Sequence, residues 1–150
     1  MTIAVAPCDP EEARPLLEAH HALMTALFEP DENHFLSLEA LQGPDIRFFG
    51  ARLDGDLVGC AALALREGYG EVKSMFVDEA VRGKGVADAL LAQVEAEARA
   101  QGYGLLRLET GDTLAAARKL YTRHGFAERG AFGEYQACGQ ASVFMEKSII

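Results

Sequence analysis

The run from Glu71 to Ala100 reads E-V-K-S-M-F-V-D-E-A-V-R-G-K-G-V-A-D-A-L-L-A-Q-V-E-A-E-A-R-A and constrains the fold more than any other stretch. Val72 to Val77 is a short apolar-rich run with β-branched and aromatic residues, which predicts a strand. Asp78 to Gly85 is polar and holds two glycines, which predicts a tight turn. From Val86 onward Ala87, Leu90, Leu91, Val94 and Ala98 fall on one helical stripe, with Glu95, Glu97 and Arg99 off it. Strand, glycine turn and helix follow one another without a gap.

That order has a chemical consequence. The first N–H groups of a helix lack internal partners and carry partial positive charge. Glycines at 83 and 85 remove side chains that would keep a ligand from those amides, and Arg82 and Lys84 add full charges beside them. The turn is a candidate phosphate or pyrophosphate site. The bland alternative is an ordinary turn with glycines for backbone reasons alone. The dinucleotide fingerprint G-x-G-x-x-G fits poorly, since Asp88 stands where the third glycine belongs. The loop G-x-x-x-x-G-K-[ST] is absent.

A length of 150 residues suits a single domain spanning 1–150. The net charge of −9 argues against nucleic acid as the main partner. An anionic ligand would need a local basic island, for which Arg82, Lys84, Arg118, Lys119 and Arg123 are candidates. Cys8, Cys60 and Cys138 are odd in number and widely spaced, as in a reducing cytoplasm, and no pair has metal-ligand spacing. No signal peptide is evident, and no apolar run approaches the roughly 20 residues of a membrane span. The expectation is a cytoplasmic protein with no metal and no membrane partner.

Thr2 to Ala6 reads as an edge or first strand. Asp9, before Pro10, Glu11 and Glu12, is the expected cap of a helix running to about Phe28. Pro15 marks either a kink in it or a later start. Leu16, Leu17, His20, Leu23, Met24 and Leu27 share one face. Phe35 to Leu41 offers a second short helix. Arg47 to Leu53 and Leu57 to Leu65 read as strands joined by a hairpin at Asp54-Gly55. The second is nearly continuous in apolar residues and is expected to be central and buried. After the long helix come a strand at Leu105 to Glu109 and a helix from Leu114 to His124, capped by Thr113 or Asp112. Phe126 to Glu128 and Ser142 to Lys147 form the last strands. The order predicts an α+β fold: a mixed, mostly antiparallel central sheet with helices on both faces.

Two local patterns carry a resemblance that covers nearly the whole chain. One is M-F-V-D-E-A-V-R-G-K-G-V-A-D-A-L-L, in which Arg82, Gly85 and Ala87 fill [RQ]-x-x-G-x-[GA]. The other is L-R-L-E-T-G followed by A-R-K-L-Y-T-R-H-G-F. Together they resemble the GNAT N-acetyltransferase superfamily. The phrases E-V-K-S-M, L-E-T-G and S-V-F-M-E-K are similar to those of a subgroup of small bacterial members. The resemblance implies the acyl-CoA N-acyltransferase fold and acetyl-CoA as cosubstrate, with no metal. It implies transfer of an acetyl group to a primary amine of a small molecule or peptide, by direct attack in a ternary complex. It implies that the backbone of Met75, Phe76 and Val77 pairs with the pantetheine arm, an N–H near Val77 facing the thioester oxygen. Arg82, Gly83, Lys84, Gly85, Val86, Ala87 and Asp88 would hold the pyrophosphate. Tyr121 matches the general acid, and Glu109 the general base of some members. Leu114 stands where many members carry an asparagine that contacts the cofactor.

Several alternatives stay open at this stage. Glu71, at the entrance of the cofactor strand, is a rival base. Lys73 and Ser74 should point to opposite faces of that strand, so one of them is expected at the acceptor pocket. His20 either lines that pocket or packs in the core. Cys60 reads as a small core residue. Phe132, Tyr135 and Phe144 either shape the acceptor end or pack at a contact of a possible homodimer. Loop residues 29–41 and 130–140 are expected to form the acceptor pocket. A silent acyl-CoA-binding sensor, favoured by Leu114, and a nucleotide-binding oxidoreductase are the competing functions.

Overall fold

The structure, a computed structural model, describes residues 2–28, 36–112, 114–133, 135 and 142–150. Its elements are β1 (Ile3–Pro7), α1 (Arg14–Leu27), α2 (Leu38–Leu41), β2 (Ile46–Leu53), β3 (Asp56–Leu65), β4 (Gly70–Val77), α3 (Val86–Ala100), β5 (Leu105–Gly111), α4 (Ala115–Arg123), β6 (Ala127–Arg129) and β7 (Ser142–Ser148). They form a seven-stranded sheet in the order β1-β2-β3-β4-β5-β7-β6. Only β4 and β5 run parallel, joined by the α3 crossover; all other neighbours are antiparallel. This is the expected α+β arrangement.

Local chemistry accounts for most of these elements. Asp54 and Gly55 take φ of 50° and 95°, so the β2–β3 hairpin turns through the left-handed region that Asp-Gly tolerates. β3 lies inside the sheet, and Cys60 to Ala64 are all 0% exposed, because both faces of the strand are covered. Its small residues let α3 approach: a Cβ at Gly59 would stand 3.1 Å from side-chain carbons of both Leu90 and Val86. α3 buries Val86, Leu90, Leu91, Val94 and Ala98, each large apolar side chain contributing about 1.5–3 kcal/mol. Val86, rather than Ala87, starts the buried stripe, and Ala87 is left only partly buried. Leu120 and Tyr121 of α4 join the same core. On the opposite face Leu16 and Leu17 of α1 and Leu41 of α2 pack over Cys60, Ala62 and Ala64.

Three expectations are corrected. Asp9 does not cap α1; its carboxylate accepts from the Glu11 amide at 2.9 Å in a preceding turn, and the helix begins at Arg14 with Ala13 as its cap. Pro15 therefore sits in the first helical turn, where its missing N–H costs nothing. The cap of α4 is Leu114, with no side-chain bond, so Asp112 is not the cap, and Thr113 lies outside the described residues. The 78–85 turn contains a short 3-10 segment at Glu79–Val81, capped by the Asp78 carboxylate on the Ala80 amide at 3.0 Å. No helix among the described residues is long and apolar enough to cross a membrane.

Candidate active site

The site begins where the sheet comes apart. β4 and β5 are laddered only at Gly70–Leu106, Glu71–Arg107 and Val72–Leu108. Beyond Val72, β4 keeps β3 as its partner while β5 keeps β7. The two parallel strands open into a cleft of about 790 Å³. Its walls come from β4, the 78–85 turn and the start of α3 on one side, and from Glu109 to Gly111 and α4 on the other. Leu23, Met24 and Phe28 of the α1 end close it. Phe28 reaches the end of β5 because residue 111 has no side chain: a Cβ there would meet its ring at 2.2 Å.

β4 is irregular where it borders the cleft. Cys60 faces Phe76 and Ala62 faces Lys73, so Ser74 and Met75 together oppose Ala61 in a bulge. Ser74 adopts φ of 53°, a left-handed conformation unfavourable to a residue with a Cβ. The alternation expected for a regular strand therefore fails, and both Lys73 and Ser74 line the cleft.

The far end is the turn before α3. Gly83 and Gly85 take φ of 80° and 88°, and a Cβ on either would touch nothing. Backbone conformation, not space, demands glycine at these positions. Gly85 is the N-cap of α3 and supplies no side-chain acceptor, so the amides of Val86, Ala87 and Asp88 are left for another partner. Met75, Phe76, Val77, Arg82, Gly83, Gly85, Ala87 and Asp88 line the cleft, as does Arg123. Lys84 is exposed to solvent outside it, and the Val86 side chain is buried in the core. Arg82 Nε donates to the Val77 carbonyl at 3.4 Å. The Asp88 carboxylate accepts from Arg123 Nη2 and bonds His124 Nε2, both at 2.7 Å, which ties α3 to α4. The His124 hydrogen bond, then Arg123, holds that carboxyl below its usual range. Arg118 and Lys119 of the expected basic island border a separate shallow depression instead.

Tyr121 and Glu109 both border the cleft. Tyr121 is 6% exposed and packs edge-on against Phe126, with ring centroids 5.7 Å apart. Burial, and then the Glu109 carboxylate, push its phenol above the ordinary tyrosine range. Glu109 is half-buried and accepts from Ser142 Oγ at 2.8 Å. Glu71 does not line the cleft. It is 2% exposed and sits in a polar cluster beside it, accepting from Arg66 Nε at 3.0 Å and from the Tyr135 hydroxyl at 2.6 Å. Lys73 Nζ donates to the Tyr135 oxygen at 2.6 Å and lies 3.6 Å from Glu71. Burial draws the Lys73 amine below its usual range, opposed by Glu71 and Glu109. Phe132 packs edge-on against Tyr69, Tyr135 and Phe144, so these rings pack within the chain.

His20 lines the cleft and also packs against Phe76, with ring centroids 5.5 Å apart. Burial, aided by His21 and Lys73, lowers its pKa to about 4. Cys60 is a core residue, its thiol pushed up to about 12 by burial. Cys138 and most of the two expected acceptor loops lie outside the described residues. Sequence reasoning missed the bulge at Ser74, which no glycine or asparagine announces, and the cleft-lining roles of Met24 and Phe28. A helical stripe looks the same whether it faces a core or a cleft.

Comparison with known proteins agrees with this geometry. The family model described as Acetyltransferase (GNAT) family matches residues 13–126. An IAA acetyltransferase from Azospirillum brasilense is 45% identical over 136 residues, covering 89% of this chain and 88% of that protein. A Klebsiella pneumoniae subsp. pneumoniae MGH 78578 protein, provisionally described as an acyl-CoA N-acyltransferase, is 35% identical with a TM-score of 0.83, covering 99% of each chain. An N-acetyltransferase from Thermoplasma acidophilum, solved in complex with coenzyme A, shares the fold at a TM-score of 0.76 and 20% identity, over 99% of each chain. A match spanning residues 13–126, at one end of which stands the α1 that closes the cleft and just inside the other Tyr121, places this chain in the GNAT family of N-acetyltransferases.

Proposed function

We propose that the protein transfers the acetyl group of acetyl-CoA to a primary amine of a small molecule or peptide, by direct attack with both substrates bound. One observation carries the reading: a single cleft runs from uncapped helix amides at Val86 to Asp88, past the free edge of β4, to Tyr121 and Glu109. A diphosphate suits the first end, since three amide donors and the positive end of the α3 dipole converge there beside Arg82 and Arg123. Gly83 and Gly85 shape that turn, and Val86 contributes its amide alone. Asp88 offers its N–H while its carboxylate is held by α4. Lys84 adds charge from the solvent side. The backbone of Met75, Phe76 and Val77 has no ladder partner toward β5 and is open to an extended arm lying along it.

The chemistry needs a proton removed from the amine and one supplied to the departing thiolate. Glu109 is the acidic side chain bordering the cleft at its β5 wall, and we assign it the base. Glu71 is committed to Arg66 and Tyr135 outside the cleft, so its part is to hold Lys73 and Tyr135 in place. Tyr121 remains protonated in its buried site and donates to the leaving sulfur. A backbone N–H of β4 near Val77 stabilises the charge that grows on the carbonyl oxygen. Titration of coenzyme A by calorimetry, with thiol release measured over a panel of amines, tests the reading. Absence of binding heat would refute it. Tight binding without release from any amine would favour a silent sensor, for which Leu114 in the cleft wall is the one supporting feature.

A further inference from the structure

Among the described residues, two side-chain polar atoms in the cleft wall are buried without a hydrogen-bond partner, His20 Nδ1 and Ser74 Oγ. Buried polar atoms are nearly always satisfied, so two exceptions in one cleft require an explanation. Ser74 is 7% exposed and is doubly unfavourable as a structural residue: its hydroxyl is orphaned and its φ of 53° would suit glycine. His20 packs on Phe76, a place where leucine or phenylalanine would serve without an orphaned nitrogen. Burial and the neighbouring His21 and Lys73 keep its ring uncharged at neutral pH. Around His20 the described wall is formed by Leu23 and Met24 of α1 and by Phe28 just beyond its end, with no carboxylate from that helix.

We propose that His20 and Ser74 are the polar contacts of the acceptor substrate, and that this acceptor is a primary monoamine on a small apolar or aromatic body. The inference rests on the acetyl-transfer reading and specifies its second substrate. His20, with its ring proton on Nε2, accepts at Nδ1 from the acceptor. Ser74 Oγ donates to it or accepts from it, and the substrate thereby satisfies groups that the folded chain leaves unpaired. The apolar body lies against Leu23, Met24, Phe28 and Phe76. A polycation would meet Lys73 there, and of the two carboxylates lining the cleft Asp88 is held by Arg123 and His124, which leaves Glu109 to face several positive charges.

The test compares wild type with Ser74→Gly and His20→Phe, using phenethylamine and spermidine as acceptors. Glycine suits the backbone at 74 and phenylalanine suits the packing at 20, so both variants should keep the wild-type melting temperature. The expected result is phenethylamine preferred over spermidine in kcat/KM by about tenfold or more, with the KM for phenethylamine raised about tenfold in each variant. The KM for acetyl-CoA should stay within about twofold, a split that a merely structural role would not produce. Unchanged phenethylamine KM in both variants, or a preference for spermidine, overturns the inference. So does wild type that binds coenzyme A yet neither acetylates phenethylamine nor gives heat when it is titrated into the coenzyme A complex. Wild type that takes no coenzyme A at all refutes the acetyl-transfer reading, and this inference with it.

Discussion

Replacing Tyr121 by phenylalanine isolates one oxygen atom. The ring is held by burial at 6% exposure and by its edge-on contact with Phe126, and phenylalanine keeps both. The fold should therefore lose less than about 1 kcal/mol. The catalytic loss is larger. General acid catalysis contributes about 10²–10⁴-fold. A thiolate leaves readily, since thiols ionise near about 8.5, so the low end of that range applies. We expect kcat to fall about 100-fold, roughly 2.7 kcal/mol of transition-state stabilisation, with the KM for acetyl-CoA unchanged. The assay is thiol release under saturating acetyl-CoA, with thermal unfolding as control. The pH profile gives a second constraint. Burial and Glu109 raise the phenol above the ordinary tyrosine value of about 10, so the acid form persists and wild-type kcat shows no descending limb from this group below about pH 10. A Tyr121→Phe enzyme within about threefold of wild-type kcat would refute the assignment of this hydroxyl as the proton donor.

Four further outcomes separate the neighbouring groups. Glu109→Gln should lower kcat/KM by about 100-fold while unfolding near the wild-type temperature. Glu71→Gln should do the reverse, costing about 3 kcal/mol in denaturant unfolding, because Arg66 and Lys73 lose their buried counter-charge. Gly85→Ala meets no atom, so its stability cost is the left-handed backbone alone, about 1–2 kcal/mol, and isothermal titration should show weaker coenzyme A binding. His20 gives a pH signature in the fold itself. Its folded pKa is about 4 against 6.5 unfolded, so between these values the unfolded chain binds more protons and stability falls as pH falls. Over that whole window the loss is roughly 3 kcal/mol at about 1.36 per pH unit, and His20→Asn should flatten the urea-measured stability between pH 6.5 and pH 4.

Where function resides explains what the sequence could and could not disclose. The buried β3, the Asp54–Gly55 hairpin and the apolar stripe of α3 follow from short-range periodicity and turn chemistry, and each was legible. So was the turn from Arg82 to Gly85, because two left-handed positions leave their mark as glycines. The insertion of β7 between β5 and β6 was not legible, since strand order depends on pairings between distant segments. Nor was the true start of α1 at Arg14, where Asp9 satisfies the cap pattern but serves an earlier turn.

The cleft was the hardest part to foresee, because it is made of departures from regularity. A regular β4 would put Lys73 and Ser74 on opposite faces; the bulge that brings both to the cleft is carried by a serine in a conformation serine disfavours. A β5 laddered to β4 along its length would close the opening; here the ladder stops at Val72 and Leu108. A side chain at residue 111 would hold α1 away; its absence admits Phe28. The first two give up ladder bonds or favourable backbone geometry, the third gives up a side chain, and all three border one space. Strain and lost pairing distributed at random would not converge in this way. Their convergence argues that the opening between β4 and β5 is the feature this fold retains at the expense of regular pairing, and that the substrates meet there rather than on the exposed face of either helix.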